Sequence, residues 1–374
     1  MDSDSSDEVY QDQILPHVSR TFALTIPQLP AGLRTAVTCA YLLCRIADTI
    51  EDEPALSPPE TLAFLQRLSE VLVGRGNPAL LAREIGQRLS DRTLAAERDL
   101  VSNLERVVAV LTRLNEPQQA AIQRCVELMC LGMPRFQFSA SLQGLARSGD
   151  LDDYCYYVAG VVGEMLTELF CDYSPQIARH RPALAAIAAS FAQGLQMTNI
   201  LKDVWEDRSR GACWLPQDVF TRHGVDLAHL ASEPFDPRFA AGYRELVGVA
   251  HAHLRNALDY TLLIPGKETG IRRFCLWAIG LAVLTLRKIE RNPRFTAGVQ
   301  VKVPRSSVAM TRLLTHVAGR SDFLLRLLFA QAARGLPLAR LADLRRPRPA
   351  QVSPPAAVGE PEHALRRSYG NSGS

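Results

Sequence analysis

The sequence predicts an all-α fold, and three observations carry that prediction. Strand-like alternation of apolar and polar residues is almost absent from its 374 residues. Ala, Leu, Arg, Glu and Gln, all good helix formers, recur throughout. Pro and Gly breakers punctuate the apolar-periodic stretches. Helices are expected at 31–53, 59–73, 93–114, 117–131, 150–172, 183–208, 237–263, 269–291 and 306–333. The first follows Pro27 and Pro30 and stops before Pro54. The second opens at Pro58 and Pro59 and ends at the turn from Gly74 to Pro78. Pro216 lies beyond the helix at 183–208, Pro265 and Gly266 separate the next pair, and Pro304 precedes the last. No internal repeat is apparent. The expected organisation is an acidic N-terminal tail at 1–15, one helical domain at 16–335, and a disordered Arg/Pro-rich tail at 345–374.

Composition narrows the function classes. The chain is 47% hydrophobic and 22% charged, with a formal net charge of +3. Collagen-like, strongly disordered and disulfide-scaffold classes are excluded. No clustered basic stripe accompanies the small positive balance, so nucleic acid is not an expected partner. The longest nearly uncharged apolar run, 274–286, is shorter than a bilayer span. The acidic, serine-rich start is unlike a signal or transit peptide, so a cytoplasmic chain is expected. Eight cysteines without a CxxC pair read as buried thiols, and His251 and His253 at i,i+2 point to different sides of a helix. No zinc site is expected.

Two segments carry acidic stripes. Tyr41, Arg45, Asp48 and Asp52 fall at steps of four, three and four, which places them on one face of an otherwise apolar helix. Asn199, Asp203 and Asp207 repeat the spacing of four, with Gln196 a turn earlier and Lys202 alongside. A lone DxxxD is usually a solvated face, but a solvated face needs no apolar flanks on its other sides. Two such helices face to face make a cluster of hard oxygen ligands suited to Mg²⁺, with substrate phosphates completing the coordination. Carboxylates alone repel a diphosphate, so metal bridges are needed, while Arg20, Arg45 and Lys202 can bind phosphate oxygens directly. A third segment runs from Tyr154 to Gly163. Gly160 and Gly163 bare one helical face for close approach. Tyr157 reads either as core packing or as a phenol that stabilises a carbocation or accepts a proton.

These pieces resemble the squalene/phytoene synthase family, which joins two prenyl diphosphates head to head. The matching motifs are Ser19-Arg20-Thr21-Phe22-Ala23, Asp48-Thr49-Ile50-Glu51-Asp52, Tyr154-Cys155-Tyr156-Tyr157-Val158-Ala159-Gly160 and Asn199-Ile200-Leu201-Lys202-Asp203-Val204-Trp205-Glu206-Asp207. They occur in the family's order between about residues 17 and 320. The resemblance implies a single-domain isoprenoid-synthase helical bundle around a deep apolar cavity. It implies Mg²⁺ (or Mn²⁺) held through Asp48, Asp52, Asp203 and Asp207, and two molecules of farnesyl diphosphate as substrate. Ser19, Arg20, Arg45, Asn199 and Lys202 would bind diphosphate, while Tyr157, Tyr41, Arg45, Phe22 and Phe274 would serve the chemistry, the two phenylalanines as cavity walls.

Within the family, Asp48-Thr49-Ile50-Glu51-Asp52 and the apolar helix from Phe274 look like the squalene-forming branch. The segment Gly298-Val299-Gln300-Val301-Lys302-Val303-Pro304-Arg305-Ser306 is similar to a basic segment associated there with NADPH, which assigns Lys302, Arg305 and Ser306 to cofactor binding. Leu215-Pro216-Gln217-Asp218 is closer to the phytoene branch, and Pro304 departs from the squalene pattern. A phytoene or dehydrosqualene synthase is the alternative; a catalytically silent helical scaffold is the alternative of another class. A monomer is expected, with peripheral membrane contact through the tail's arginines at the inner membrane surface.

Overall fold

The computed structural model describes residues 2–19, 21–231 and 235–341. Among them there is no strand, only an isolated bridge between Leu145 and Pro216. The centre is α2 (Ala31–Glu51), following α1 (Asp2–Val18) and a single turn at Phe22–Thr25. Its buried residues, among them Leu33, Val37, Leu42, Leu43, Ile46 and Ile50, go almost all the way round, as a helix inside a bundle requires. Each large side chain so buried contributes roughly 1.5–3 kcal/mol.

Around it stand α3 (Pro58–Leu72), α4 (Pro78–Gly86), α5 (Ala95–Ser102), α6 (Leu104–Arg113) and α7 (Glu116–Gln137). Their starts follow the capping chemistry of the sequence. Glu60 accepts from the Ser57 backbone N–H at 2.9 Å, Asn77 from Leu80 at 3.0 Å, and Asn115 from Gln118 at 2.9 Å. The second half comprises α8 (Ser148–Cys155), a π-helical stretch at Tyr156–Gly160, α9 (Val161–Tyr173), α10 (Arg181–Lys202), α11 (Val204–Ser209) and α12 (Gln217–Arg222). It closes with α13 (Pro237–Leu263), α14 (Thr269–Arg291), α15 (Arg305–Ala318) and α16 (Asp322–Ala332). Glycine sets the spacing of the second half. A Cβ on Gly163 of α9 would lie 2.1 Å from the Ala188 carbonyl oxygen of α10.

Several expectations need correction. Residues 2–15 belong to a helix where a tail is expected. Its acidity hides an apolar stripe of Tyr10, Ile14, Leu15 and Val18, all buried. Asp7 pairs with Arg106 at 3.1 Å and Arg113 at 3.3 Å, and Tyr10 donates to Asp99 at 3.1 Å. The expected helix at 93–114 breaks at Asn103, that at 183–208 breaks at Asp203, and that at 306–333 breaks at the turn before Ser321. Helix α4 escaped the sequence pattern because its nine residues follow directly on turn residues. Packing continues past 335: the Ala339 N–H donates to Gly248 at 3.1 Å and His251 bonds the Pro337 carbonyl at 2.7 Å. The tail at 345–374 lies outside the described residues.

All eight cysteines are free thiols and buried. The apolar run at 274–286 belongs to a 23-residue helix, α14, which with α10 is long and apolar enough to cross a membrane. In both helices more than half of the apolar window is buried inside the fold, which is how core helices of a bundle behave.

Candidate active site

Helices α2 and α10 flank an apolar cavity of about 310 Å³, within the usual range for small-molecule sites. Met129, Met165, Leu166 and Phe191 give it an apolar lining, and Tyr41, Arg45, Asp48, Gln196 and Asn199 supply its polar groups. A larger cavity of about 870 Å³ shares Phe22, Leu195, Asn199 and Ala278 with the first. Its polar lining includes Lys202, Asp203 and Glu206 together with Lys302, Arg305 and Arg312.

On the first wall, Arg45 lies 3.8 Å from Asp48 and forms a second ion pair with Glu97 of α5. Glu97 is 52 residues away in sequence, and nothing in the local pattern marks it. The Asp48 side chain is 31% exposed, toward the cavity it lines. Burial pushes its carboxyl up to about 7 against the opposing pull of Arg45, and Asp52 and Glu97 add to the rise. Asp52 caps the end of α2 and is raised by burial as well.

The second wall is not one straight helix. Asp203 ends α10 and opens α11, although the Asp207 N–H still reaches the Asp203 carbonyl at 2.9 Å. Lys202 pairs with Asp203 at 2.7 Å. Burial, then Asp203, pushes Asp207 up to about 6, and Asp52 of the opposite wall adds to it. Tyr154 completes the link: burial raises its phenol, and Glu51, Asp52 and Asp207 all act on it in the same direction. Its ring stacks on Trp214 at 4.3 Å. The two stripes thus open on adjoining cavities, Asp48 lining the smaller and Asp203 the larger, with Phe22, Leu195, Asn199 and Ala278 common to both.

Among the described residues, no three of His, Cys, Asp and Glu converge as a ready-made metal site. The donor set nonetheless fits a hard divalent cation. Burial above all raises the Asp48, Asp52 and Asp207 carboxyls, and the buried Glu206 Oε2 has no hydrogen-bond partner. Carboxylates on separate walls leave coordination positions for oxygen atoms of a ligand.

The remaining predicted residues divide by placement. Ser19 Oγ accepts from the Phe22 N–H at 3.0 Å and so sets the turn that carries Phe22. The Phe22 ring lies 5.2 Å from Tyr41 and 6.5 Å from Phe274, and all three line the smaller cavity. Tyr41 donates its hydroxyl to the Val18 carbonyl at 3.0 Å, so this phenol also ties α1 to the wall. Arg20 lies outside the described residues. Tyr157 lines neither cavity. Its ring sits against Gly132 and 6.4 Å from Phe136, because the π-helical stretch re-aims residues 156–160 relative to a regular helix. Tyr154 of the same segment is acted on by acidic groups of both stripes.

Lys302 and Arg305 line the larger cavity, while Ser306 is exposed and lines neither. What local reading missed is how this segment is fastened. Trp205 donates to the Phe295 carbonyl at 2.7 Å, and Gly298 donates to Glu206 Oε1 at 2.7 Å. A Cβ on Gly298 would stand 2.9 Å from the Lys202 carbonyl, so only glycine allows this seat on the acidic motif.

Squalene synthase of Candida albicans is 30% identical over 307 residues, 79% of this chain and 64% of the relative, so the chain spans just under two thirds of that protein's length. Squalene synthase 1 of Arabidopsis thaliana is 29% identical over 79% of this chain and 68% of its own. Among solved structures, TcSQS with the ligand BPH1237 superposes with a TM-score of 0.69 at 23% identity, covering 88% of this chain and 98% of that one. A dehydrosqualene synthase complex gives 0.62 at 21% identity, covering 85% and 98%. These likenesses show the all-α fold. The family model for squalene/phytoene synthase matches residues 15–307, the stretch holding every motif described above, and the chain belongs to that family.

Proposed function

We infer that this chain is a prenyltransferase of the squalene synthase type, joining two molecules of farnesyl diphosphate head to head and then reducing the product to squalene. The observation that carries the reading is a pair of adjoining cavities, one lined by Asp48 and one by Asp203, each acid beside its own cation, Arg45 or Lys202. Asp48, Asp52, Asp203 and Asp207 would hold Mg²⁺, which neutralises diphosphate charge and improves the leaving group. Arg45 and Lys202 bind the departing oxygens. In the first step the donor's C1–O bond breaks, its C1 bonds to the acceptor's double bond, and loss of one proton closes a cyclopropane. Tyr157, with the released diphosphate, would take up that proton, and Tyr154 is a second phenol close to the acidic groups. Met129, Leu166, Phe191 and Phe274 exclude water, which would quench a cation as an alcohol. Lys302 and Arg305 suit the phosphates of NADPH, which supplies the hydride for the second step.

The test is product analysis by mass spectrometry, with farnesyl and geranylgeranyl diphosphate each supplied with and without NADPH. Squalene only with NADPH, and a C30 cyclopropyl diphosphate without it, is the expected result. Dehydrosqualene or a C40 hydrocarbon as main product would establish the other branch, toward which Leu215-Pro216-Gln217-Asp218 leans. No diphosphate release from either substrate would leave a silent scaffold.

A further inference from the structure

Helices α15 and α16 present large apolar side chains to solvent. On α15 these are Met310, Leu313, Leu314 and Val317, at helical spacing i, i+3, i+4, i+7; on α16 they are Phe323, Leu324 and Leu327. Val317 and Phe323 are each 73% exposed. Elsewhere among the described residues, exposed apolar side chains on helices are mostly isolated, as on any soluble surface. Met310 and Leu314 also line an apolar cavity of about 210 Å³, with Leu325 and Leu328 of α16 and Leu276 and Ile279 of α14.

Charge decides what covers this face. From 305 to 334 the sequence has five arginines against a single acid, Asp322; Arg305 and Arg312 line the larger cavity and Arg326 pairs with Asp259 at 2.9 Å, while Arg320 and Arg334 are exposed. Asp322 is already paired with Arg272 of α14 at 2.8 Å. A second copy of the chain would set this basic surface against itself. The chain's own segment beyond 341 is also arginine-rich and would be repelled. An apolar stripe on helices that carry the exposed Arg320 and Arg334 complements an anionic, apolar-cored surface.

We propose that α15 and α16 form a face that docks peripherally on an anionic lipid bilayer, with Leu313, Val317 and Phe323 entering the headgroup–acyl boundary. The docking does not depend on which product the enzyme makes. It has a consequence for the site, because Val308, Ala309 and Arg312 of α15 line the larger cavity. One helix is thus both cavity wall and lipid contact.

Flotation of the full chain with vesicles of phosphatidylcholine alone, or mixed with phosphatidylglycerol, tests this. Wild type should float with the anionic vesicles, less so as salt rises, and weakly with the neutral ones. The face variant L313E/V317E/F323E should float roughly tenfold less while keeping its helicity by circular dichroism. A full chain with Arg345, Arg346, Arg348, Arg366 and Arg367 changed to Ala should float like wild type. A gentler variant, Phe323→Trp, should shift its emission to the blue when anionic vesicles are added. Equal flotation of face variant and wild type, loss confined to the tail variant, or no wild-type flotation would each overturn the proposal. So would a dimer, seen by sedimentation, that the face variant breaks without any vesicle binding.

Discussion

The two acidic walls use the same residue types at the same spacing on different supports. Helix α2 is unbroken for 21 residues and buried on nearly every side, and its Arg45 is clamped between Asp48 and Glu97. The opposite wall breaks at Asp203, leans on neighbours through glycine contacts, and is strapped by residues 295–298. The first wall is held by its own continuity, the second by what is packed behind and across it. A site built this way has one fixed reference surface and one whose position depends on distant segments.

The largest effect should come from the carboxylates, and it should be equal on both walls. Asp48→Asn and Asp203→Asn should each lower diphosphate release from farnesyl diphosphate about a thousandfold, roughly 4 kcal/mol, with helicity unchanged. If only one wall responds, the walls are not partners in one site.

Packing behind the walls should separate them next. Gly163→Ala places a methyl against the Ala188 carbonyl of α10 and should cost about 3 kcal/mol in a denaturant titration. The pH dependence of stability probes the same support. His253 of α13 shares a 2.8 Å hydrogen bond with Ser190 of α10, and burial pushes its imidazole down to about 4 from the ordinary 6.5. Above pH 6.5 it is neutral in both states and costs nothing. Below that the unfolded chain takes up the proton first, so stability falls progressively and the loss levels off below pH 4. The loss should reach on the order of 2–3 kcal/mol at pH 4. His253→Gln should flatten the slope between pH 6.5 and 4 by that amount, whatever it does to stability at pH 7.

The smallest effect should have the opposite sign. Gly32 of α2 has nothing near its missing Cβ, so Gly32→Ala should stabilise by roughly 0.5–1 kcal/mol. A rise in thermal midpoint there, beside a fall for Gly163→Ala, would sharpen the contrast. Equal losses at both glycines would erase it.

Much of this was legible in the sequence because it is local. The i,i+4 spacing of Asp48 and Asp52, the Pro and Gly breakers around Pro58 and Pro265, and the apolar run of α14 are all readable within a turn or two. What was hidden is non-local or irregular. Glu97 reaches Arg45 across 52 residues, and Gly298 reaches Glu206 across 92. The π-helical stretch at Tyr156–Gly160 was hidden too, since the sequence pattern there reads as a regular 3.6-residue period. Helix α1 was masked because its charged end dominates the composition that betrays a tail.

The strap across the second wall has a meaning in time as well as in space. Residues from Trp205 to Asp207 take their final setting only when Phe295 and Gly298 arrive. On a ribosome adding about 5–20 residues per second, the first acidic wall emerges roughly 10–50 s before that strap exists. A nascent chain therefore carries half a reaction centre, exposed and inert, until nearly all of the catalytic body has been made. Competence comes late, and it comes with the same helices that present the basic, apolar face.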